Sequence, residues 1–238
     1  MTQPAVLAAE QVSVGFGGKP VLSEITMELR AGEVLCLIGH NGAGKTTLTR
    51  TLFGLIAPQA GRVLVDGNLL PRHTPRVLAG QRIALMPEGR GIFPGLTVAE
   101  TFRLALWSAD VPKGEHGARV EWVMEVLPQI RNFTDKRAGL LSGGQQQMVS
   151  IGRSLLSRPR CLIMDEPSIG LAPKLFQDLL QPIRRLQQET GMSILLVEQN
   201  VREALKVCDR VIVMKAGRII REAAPEELKD NVRLMELY

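Results

Sequence analysis

Apolar runs of strand length alternate with stretches of helical spacing along most of this chain. The run Val34–Ile38 is wholly apolar, and Leu48, Leu52 and Leu55 then recur at helical spacing. From residue 142 to residue 213, strand-like and helix-like stretches alternate again. Since short strands separated by helices form parallel sheets with crossover connections, this pattern predicts an α/β fold with a parallel sheet.

The first part of the chain follows a different pattern, in which apolar and polar positions alternate. Two such stretches within residues 5–30 flank Gly15–Gly18, which predicts two β-strands joined by a turn. Residues 61–67 are typical of another strand that ends in a tight turn, and residues 82–86 form a short apolar strand that Pro87 stops. We therefore expect an N-terminal β region beside the parallel sheet.

A helical pattern dominates the middle of the chain. From about residue 97 to residue 141, charged residues are interleaved with leucines and valines. Because this block lies between two α/β stretches, we interpret it as an inserted helical subdomain, about residues 90–158, of a single domain that spans residues 1–238. A last helix is predicted to begin at Pro225, which two glutamates follow.

The composition is that of an ordinary globular protein, with 45% hydrophobic and 22% charged residues among 238. No apolar stretch approaches the roughly 18–20 residues needed to cross a bilayer, and the first four residues lack the layout of a signal peptide. The net charge of +5 favours an anionic partner such as a nucleotide or a lipid headgroup. Aromatic residues make up only 4%, too few for base-stacking platforms, so no nucleic-acid partner is expected. The three cysteines, Cys36, Cys161 and Cys208, lack metal-like spacing and are predicted to be thiols in a reducing cytosol, the first two buried in strands.

Residues 39–46 read GHNGAGKT and fit the phosphate-binding pattern G-x-x-x-x-G-K-[ST] at every fixed position. The glycines allow backbone N–H groups to turn towards an anion, and the helix that follows adds partial positive charge. Lys45 is predicted to bridge the β- and γ-phosphates, and Thr46 to complete a Mg²⁺ shell. The alternative is a glycine-rich turn with a solvated lysine, but the strand before and the helix after this phosphate loop favour binding of a nucleoside triphosphate. The predicted nucleotide contacts in the loop are Gly39, His40, Asn41, Gly42, Ala43, Gly44, Lys45, Thr46 and Thr47.

Two acidic residues end the apolar run CLIMDE at residues 161–166. A carboxylate at a strand tip can hold Mg²⁺, directly or through water, and we assign that role to Asp165. Glu166, the next residue, is predicted to polarise an attacking water. Two acids at a strand end are often only a solvated turn, but the presence of Lys45 upstream favours the catalytic interpretation.

The sequence LSGGQ at residues 141–145, here called the signature segment, has two interpretations. Ser142 and Gln145 have the spacing of a capping box at the start of a helix. Gly143 and Gly144 are unusual in a first helical turn, because each weakens a helix by up to about 1 kcal/mol. Paired glycines suit a site where backbone N–H groups must approach an anion closely.

GHNGAGKT, LSGGQ and CLIMDEP, in this order and spacing, resemble the ATP-binding subunits of ABC transporters over essentially the whole chain. The resemblance implies an α/β P-loop NTPase with a parallel-sheet core, an N-terminal antiparallel β region and an inserted helical subdomain that faces the membrane partner. It implies ATP and Mg²⁺ as ligands, and a head-to-tail dimer in which two ATP molecules are sandwiched. In such a dimer the signature segment caps the γ-phosphate bound to the opposing subunit. The residues that the resemblance adds to the nucleotide site are Phe16, on the adenine, and Ser142, Gly143, Gly144 and Gln145; taken alone, Phe16 could equally be a small core plug.

Three positions depart from the usual pattern of that family. Glu88 occupies the place of a glutamine that links the Mg²⁺ site to the transmembrane subunits, and as a carboxylate it is a further predicted metal ligand, with Arg90 offsetting its charge. Ala172 occupies the place of an aspartate in the dimer-contact loop. Gln199 occupies the place of the switch histidine; it can bind the γ-phosphate or water but cannot carry a proton. Lys45, Glu166 and Gln199 are thus the predicted catalytic residues.

The strings PEGR, DEPSIGLAP and VEQN resemble one subgroup, the shorter of the two ATPase subunits of branched-chain (hydrophobic) amino acid uptake systems. Related systems for urea and short amides share much of this pattern. The resemblance implies transmembrane permease subunits and a second ATPase subunit, identical or a longer paralogue, as partners. It also implies a periplasmic or extracellular solute-binding protein as an indirect partner, and a peripheral location on the cytoplasmic face of the membrane. The alternative is a nucleotide-driven clamp that hydrolyses ATP weakly or not at all; soluble ABC ATPases of DNA or ribosomes usually have a second cassette or long coiled coil, which this chain lacks.

Overall fold

Strands and helices alternate along the part of the chain that the structure, a computed structural model, describes: residues 5–89 and 91–228. The strands are β1 (Leu7–Phe16), β2 (Lys19–Leu29), β3 (Val34–Ile38), β4 (Ala60–Val65), β5 (Asn68–Leu69), β6 (Ile83–Met86), β7 (Cys161–Asp165), β8 (Ser193–Glu198), β9 (Arg210–Lys215) and β10 (Arg218–Ala223). The α-helices are α1 (Lys45–Leu52), α2 (Pro75–Gly80), α3 (Val98–Ser108), α4 (His116–Val126), α5 (Gly143–Leu155), α6 (Pro173–Thr190) and α7 (Val201–Ala204). Short 3₁₀ helices lie at Lys113–Glu115, Pro128–Phe133, Ala138–Leu140 and Pro225–Leu228.

The core is a six-stranded sheet with the order β10-β9-β3-β8-β7-β6. Its neighbours are parallel except for β10, which pairs antiparallel with β9. Every residue of β3, β7 and β8 is buried, as expected for parallel strands covered on both faces. Cys36 and Cys161 are buried within these strands, as predicted. The parallel sheet that the alternating pattern predicts is confirmed.

The pleat of the central strands divides the hydrophobic core into two layers. Cys36 and Ile38 of β3 point to the layer that contains the helices α3, α5 and α6, where Phe102 and Phe176 are fully buried. Leu35 and Leu37 point to the opposite layer, which contains α1 and a second sheet. Two-sided burial therefore fixes the register of the strand that leads into the phosphate loop.

The second sheet is antiparallel and consists of four strands in the order β2-β1-β4-β5. In β1 and β2, buried and more exposed residues alternate, because one face covers the central sheet and the other faces solvent. This confirms the N-terminal antiparallel region. The hairpin turns at residues 17–18, just after Phe16.

The helices α3, α4 and α5 pack together in the middle of the chain, together with the 3₁₀ helix at 128–133. The helical block predicted over residues 97–141 is present, although 3₁₀ turns interrupt it. The boundaries of the subdomain, about residues 90–158, remain a prediction. At Pro225 the structure has a 3₁₀ helix rather than the start of an α-helix within the described residues, and anything beyond Leu228 lies outside them.

The carboxyl ends of the parallel strands lie at the same edge of the sheet, and the predicted site lies at that edge. In register, Ile38 lies opposite Glu198, and Asp165 lies opposite Val197. The phosphate loop, the two acids at the end of β7 and the segment after β8 therefore meet at the carboxyl edge of the sheet.

Among the described helices, none combines the length and apolarity needed to cross a bilayer.

Gly152 provides a test of how tightly the helical layer is packed. A Cβ at this position of α5 would lie 3.0–3.1 Å from Phe102, Ile130 and Val123. We expect Gly152→Leu to lower the free energy of unfolding by about 1–3 kcal/mol, because overpacking forces neighbouring side chains apart. Urea denaturation followed by circular dichroism measures this change.

The matched control is Gly117→Leu in α4, where an added Cβ meets nothing within 4 Å. This variant should be at least as stable as the wild type, because leucine has the higher helix propensity. Equal stability of the two variants would contradict the close packing assigned to Gly152.

Candidate active site

The phosphate loop connects β3 to α1, and its backbone conformation depends on two glycines. Gly44 has φ of 99°, and a Cβ there would lie 2.8 Å from Leu22 on β2. At Gly39, a Cβ would lie 2.4 Å from the carbonyl oxygen of Met214 on β9. No side chain caps the N-terminus of α1. The first backbone N–H groups of this helix are therefore suited to bind an anion.

The ammonium group of Lys45 lies inside the loop and is only 4% exposed. It donates to the carbonyl oxygens of Gly39 at 2.8 Å and His40 at 3.1 Å. It also forms an ion pair of 3.2 Å with Glu166 Oε1. The structure thus joins the predicted phosphate-binding lysine directly to the predicted catalytic carboxylate.

Three oxygen-bearing side chains converge beside Lys45. Thr46 Oγ1 lies 3.5 Å from Asp165 Oδ1 and 3.5 Å from Glu88 Oε2. Asp165 also accepts a hydrogen bond of 3.0 Å from Thr49 Oγ1, which ties the end of β7 to α1. The predicted metal ligands Thr46, Glu88 and Asp165 are therefore neighbours. Because these donors are all oxygens and two are acidic, they fit Mg²⁺, which also keeps waters and nucleotide phosphates as ligands.

The pKa of Asp165 is raised to about 6, chiefly by burial and also by the negative charges of Glu166 and Glu88, although hydrogen bonds from Thr49 and Thr46 oppose the shift. The carboxylate form is thus held in surroundings that disfavour its charge. A bound cation would offset that cost. The contribution predicted for Arg90 lies outside the described residues.

Glu166 occupies an unusual backbone position immediately after β7. Its φ is 52°, in the left-handed region that non-glycine residues rarely adopt. Its N–H donates to Val197 O at 2.9 Å, and its Oε2 accepts a hydrogen bond from the Gln199 side-chain amide. Such strain persists only where surrounding contacts over-determine it, and it is common at active sites. Glu166 and Gln199, two of the predicted catalytic residues, are therefore in direct contact.

A cavity of about 540 Å³ opens at this edge of the sheet. Its lining residues are Val21, Asn41, Gly42, Gly44, Lys45, Thr46, Thr47, Glu88, Glu166, Ile169 and Gln199. Most of the predicted phosphate, metal and catalytic residues thus face one space. Within the described residues, that lining does not include Phe16 or the signature segment.

Phe16 and the signature segment occupy separate surfaces. Phe16 is 53% exposed at the end of β1, so it is not a core plug. Ser142 and Gln145 form the predicted capping box, with each side chain bonded to the backbone N–H of the other residue. Gly144 approaches the loop between β7 and α6, since a Cβ there would lie 3.7 Å from Leu171. Among the described residues, this start of α5 is therefore separate from the lining of the cavity.

Sequence reasoning missed several residues that shape the site. Thr49 holds Asp165, and Val21 and Ile169 line the cavity. Glu198 is completely buried and binds Ser168 across the carboxyl edge. Glu198 could have been found from the sequence, because it ends the apolar run SILLVE just as Asp165 ends CLIMD.

Comparison with known proteins identifies relatives along the whole chain. The profile of the ABC transporter family matches residues 22–169. The high-affinity branched-chain amino acid transport ATP-binding protein BraG of Pseudomonas aeruginosa is 37% identical over 233 residues, which cover 98% of this chain and 99% of BraG. The lipopolysaccharide export system ATP-binding protein LptB of Haemophilus influenzae is 30% identical over 238 residues, covering 98% of this chain and 97% of LptB. A solved nucleotide-free ATP-binding cassette from an ABC transporter has a TM-score of 0.86 at 27% identity, covering 98% of both chains.

The raised pKa of Asp165 predicts how stability depends on pH when metal and nucleotide are absent. The folded protein keeps the proton up to about pH 6, whereas the unfolded chain loses it near 3.8. The charged group therefore lowers the free energy of unfolding above about pH 6, and this penalty disappears below about pH 4. In EDTA at about pH 8, we expect Asp165→Asn to raise the free energy of unfolding by about 1–3 kcal/mol.

The gain in the free energy of unfolding of Asp165→Asn should shrink as the pH falls from about 6 to about 4, the range between the two pKa values of Asp165. Urea denaturation at a series of pH values measures this change. Asp135→Asn, at an exposed position, serves as the control and should change stability little at any pH. A destabilised Asp165→Asn variant in EDTA would contradict the burial cost assigned to this carboxylate.

Proposed function

Because this chain belongs to the ABC transporter family of ATP-binding subunits, we propose that it powers an importer, one that carries branched-chain amino acids. In this proposal two ATPase subunits sandwich two ATP molecules, and the dimer drives transmembrane permease subunits. The observation that carries the proposal is the cluster of Lys45, Glu166 and Gln199 in the cavity beside the phosphate loop, where Lys45 and Glu166 are buried.

ATP binds with its phosphates along the phosphate loop, residues 39–47, and with its base towards Phe16. The exposure of that ring at the end of β1 supports a stacking role. Mg²⁺ would be held by Thr46, Glu88 and Asp165, where it neutralises charge on the phosphates. The convergence of these three side chains supports that assignment.

Nucleotide binding must change the contacts of Lys45. In the structure, its ammonium group is shared between carbonyl oxygens of the loop and Glu166. A β/γ-phosphate group offers Lys45 stronger charge-assisted bonds, so the lysine releases Glu166 when ATP arrives. Glu166 then activates water for in-line attack, and Gln199, already bonded to it, orients that water or the γ-phosphate.

The signature segment serves the partner subunit in this proposal. It lies outside the lining of its own chain's cavity, and it starts a helix whose first turn holds two glycines. Backbone N–H groups there can approach the γ-phosphate held by a second subunit. Dimer closure would exclude water and strengthen the electrostatic contacts to the reacting group.

The cargo follows from the subgroup strings and from BraG. The strings PEGR, DEPSIGLAP and VEQN are typical of the branched-chain amino acid subgroup, and BraG belongs by its name to such a system. The similarity to LptB shows that related ATPases also serve export. Importers of urea or short amides are the second candidate for the cargo. Either system places the chain on the cytoplasmic face of the membrane, attached through its permease.

Glu166→Gln separates ATP binding from ATP hydrolysis. General-base assistance contributes roughly 10²–10⁴-fold to the rate, so kcat should fall about a hundredfold or more, while ATP affinity stays near the wild-type value. Turnover is measured by phosphate release, and affinity by equilibrium binding of a fluorescent ATP analogue.

Glu189→Gln, at an exposed position of α6, is the matched control and should keep wild-type turnover. Near-normal hydrolysis by Glu166→Gln would remove this residue from its role. A wild-type protein that binds ATP and dimerises but never releases phosphate would favour the clamp.

Purification of the tagged chain from solubilised membranes tests the transport assignment. The expected companions are permease subunits and a second ATPase subunit. Uptake of radiolabelled leucine by that complex in liposomes, compared with uptake of radiolabelled urea and acetamide, then tests the cargo. Uptake of urea or acetamide without uptake of leucine would select the second candidate.

A further inference from the structure

Glu198 is a buried carboxylate to which the mechanism above gives no part. It is the last residue of β8 and is 0% exposed. Burial raises its pKa to about 7, although hydrogen bonds oppose that shift. Among the described residues, no lysine or arginine forms an ion pair with it. A buried acid without a cation is costly, so its partners must explain its presence.

The partners of Glu198 are N–H and O–H donors from two loops at the carboxyl edge. Oε1 accepts a hydrogen bond of 2.9 Å from the backbone N–H of Ser168. Oε2 accepts one of 2.6 Å from the Ser168 hydroxyl and one of 3.2 Å from the backbone N–H of Gln199. A longer contact of 3.5 Å joins Oε2 to the N–H of Asn200. Both oxygens of the carboxylate are therefore used as acceptors.

These bonds complete a closed ring around the catalytic pair. Ser168 follows Glu166 by two residues, Gln199 directly follows Glu198, and the Gln199 side chain bonds to Glu166. Movement of either loop would separate the Gln199 amide from Glu166. Because Glu166 holds a strained φ of 52°, its position depends on contacts of this kind.

The loop that contains Ser168 also contacts α5, the helix that the signature segment starts. Residues 166–172, here called the contact loop, run from Glu166 to the start of α6. Leu171 of this loop lies against Gly144 in the first turn of α5, and Ile169 lines the nucleotide cavity. Ser168 thus anchors the contact loop to Glu198, the residue before Gln199, in addition to the bond from Glu166 N–H to Val197 O.

We propose that Glu198 is a positioning residue for hydrolysis, which anchors the contact loop at Ser168 and thereby holds Gln199 on Glu166. The inference rests on the proposed function, because it assigns Glu198 to the same site. It makes a specific claim: Glu198 acts on the turnover step, not on nucleotide binding, since the side-chain hydrogen bonds described for it go to Ser168, Gln199 and Asn200 and not to the phosphate loop.

Glu198→Gln is the direct test. An amide keeps the shape but replaces one acceptor oxygen with an NH₂ donor, so either Ser168 N–H or Gln199 N–H faces another donor. We expect kcat to fall roughly tenfold or more with nucleotide affinity within about twofold of wild type, because a displaced Gln199 and Glu166 weaken stabilisation of the transition state and not the contacts that bind ATP. Phosphate release, binding of a fluorescent ATP analogue and thermal unfolding are measured on the same preparations.

Glu33→Gln is the matched control for a merely structural effect. Glu33 is also buried, but it precedes β3 at the opposite end of the sheet and pairs with Arg210 at 2.6 Å. This variant should lower the unfolding temperature while kcat stays within about twofold of wild type. If Glu198→Gln behaves in the same way, the inference is overturned.

Ser168→Ala supplies a second variant in case Glu198→Gln does not fold. It removes one donor from the ring and should lower kcat by about threefold with unchanged affinity. Unchanged turnover in Ser168→Ala overturns the inference where Glu198→Gln cannot be purified. Where both variants fold, the two substitutions combined in one protein should lower kcat by less than the product of their separate effects, since both break one interaction.

The failure of this inference differs from the failure of the proposed function. A wild-type protein without any turnover contradicts the proposed function and removes the inference with it. Normal turnover in a folded Glu198→Gln protein, beside a slow Glu166→Gln protein, overturns the inference alone.

Discussion

The buried ammonium group of Lys45 is the interaction on which the site depends. It lies at the edge of the sheet where Glu88, Asp165 and Glu166 also meet, and it forms an ion pair with Glu166. It also fixes the curvature of the phosphate loop through two carbonyl oxygens. One cation therefore contacts both the phosphate loop and Glu166. In the proposed function, the phosphates of ATP compete for the same cation, which would link occupancy of the site to release of Glu166.

The rest of the fold keeps unfavourable groups in place at that edge. Glu166 has a left-handed backbone conformation, and both Asp165 and Glu198 are buried acids with raised pKa values. None of these features stabilises the folded chain by itself. They are held because β3, β7 and β8 are buried on both faces, so that their register cannot shift. The buried strands thus stabilise the fold, and the predicted catalytic and metal-binding residues lie where these strands end.

Local patterns predicted much of this arrangement from the sequence. The apolar run before GHNGAGKT and the helical spacing after it correctly gave β3 and α1, and the spacing of Ser142 and Gln145 gave the capping box. Most of the predicted phosphate and metal residues face one cavity for a simple reason: parallel strands bring their carboxyl ends together. The antiparallel pairing of β10 and the order of the six strands could not be read, because they depend on contacts between distant segments. The bond from Ser168 to Glu198 spans 30 residues and has no local signature.

The carboxylate of Asp165 is buried beside other acids, and its charge lowers the free energy of unfolding of the subunit when no cation is bound. Any ligand that binds only the folded chain shifts the folding equilibrium towards it in proportion to ligand concentration and affinity. ATP with its metal would thus act as a chemical chaperone for newly synthesised chains. In a starved cell, where the ATP supply falls, more copies would open transiently and become substrates for proteolysis. The rate at which the subunit is degraded would then depend on the energy state of the cell.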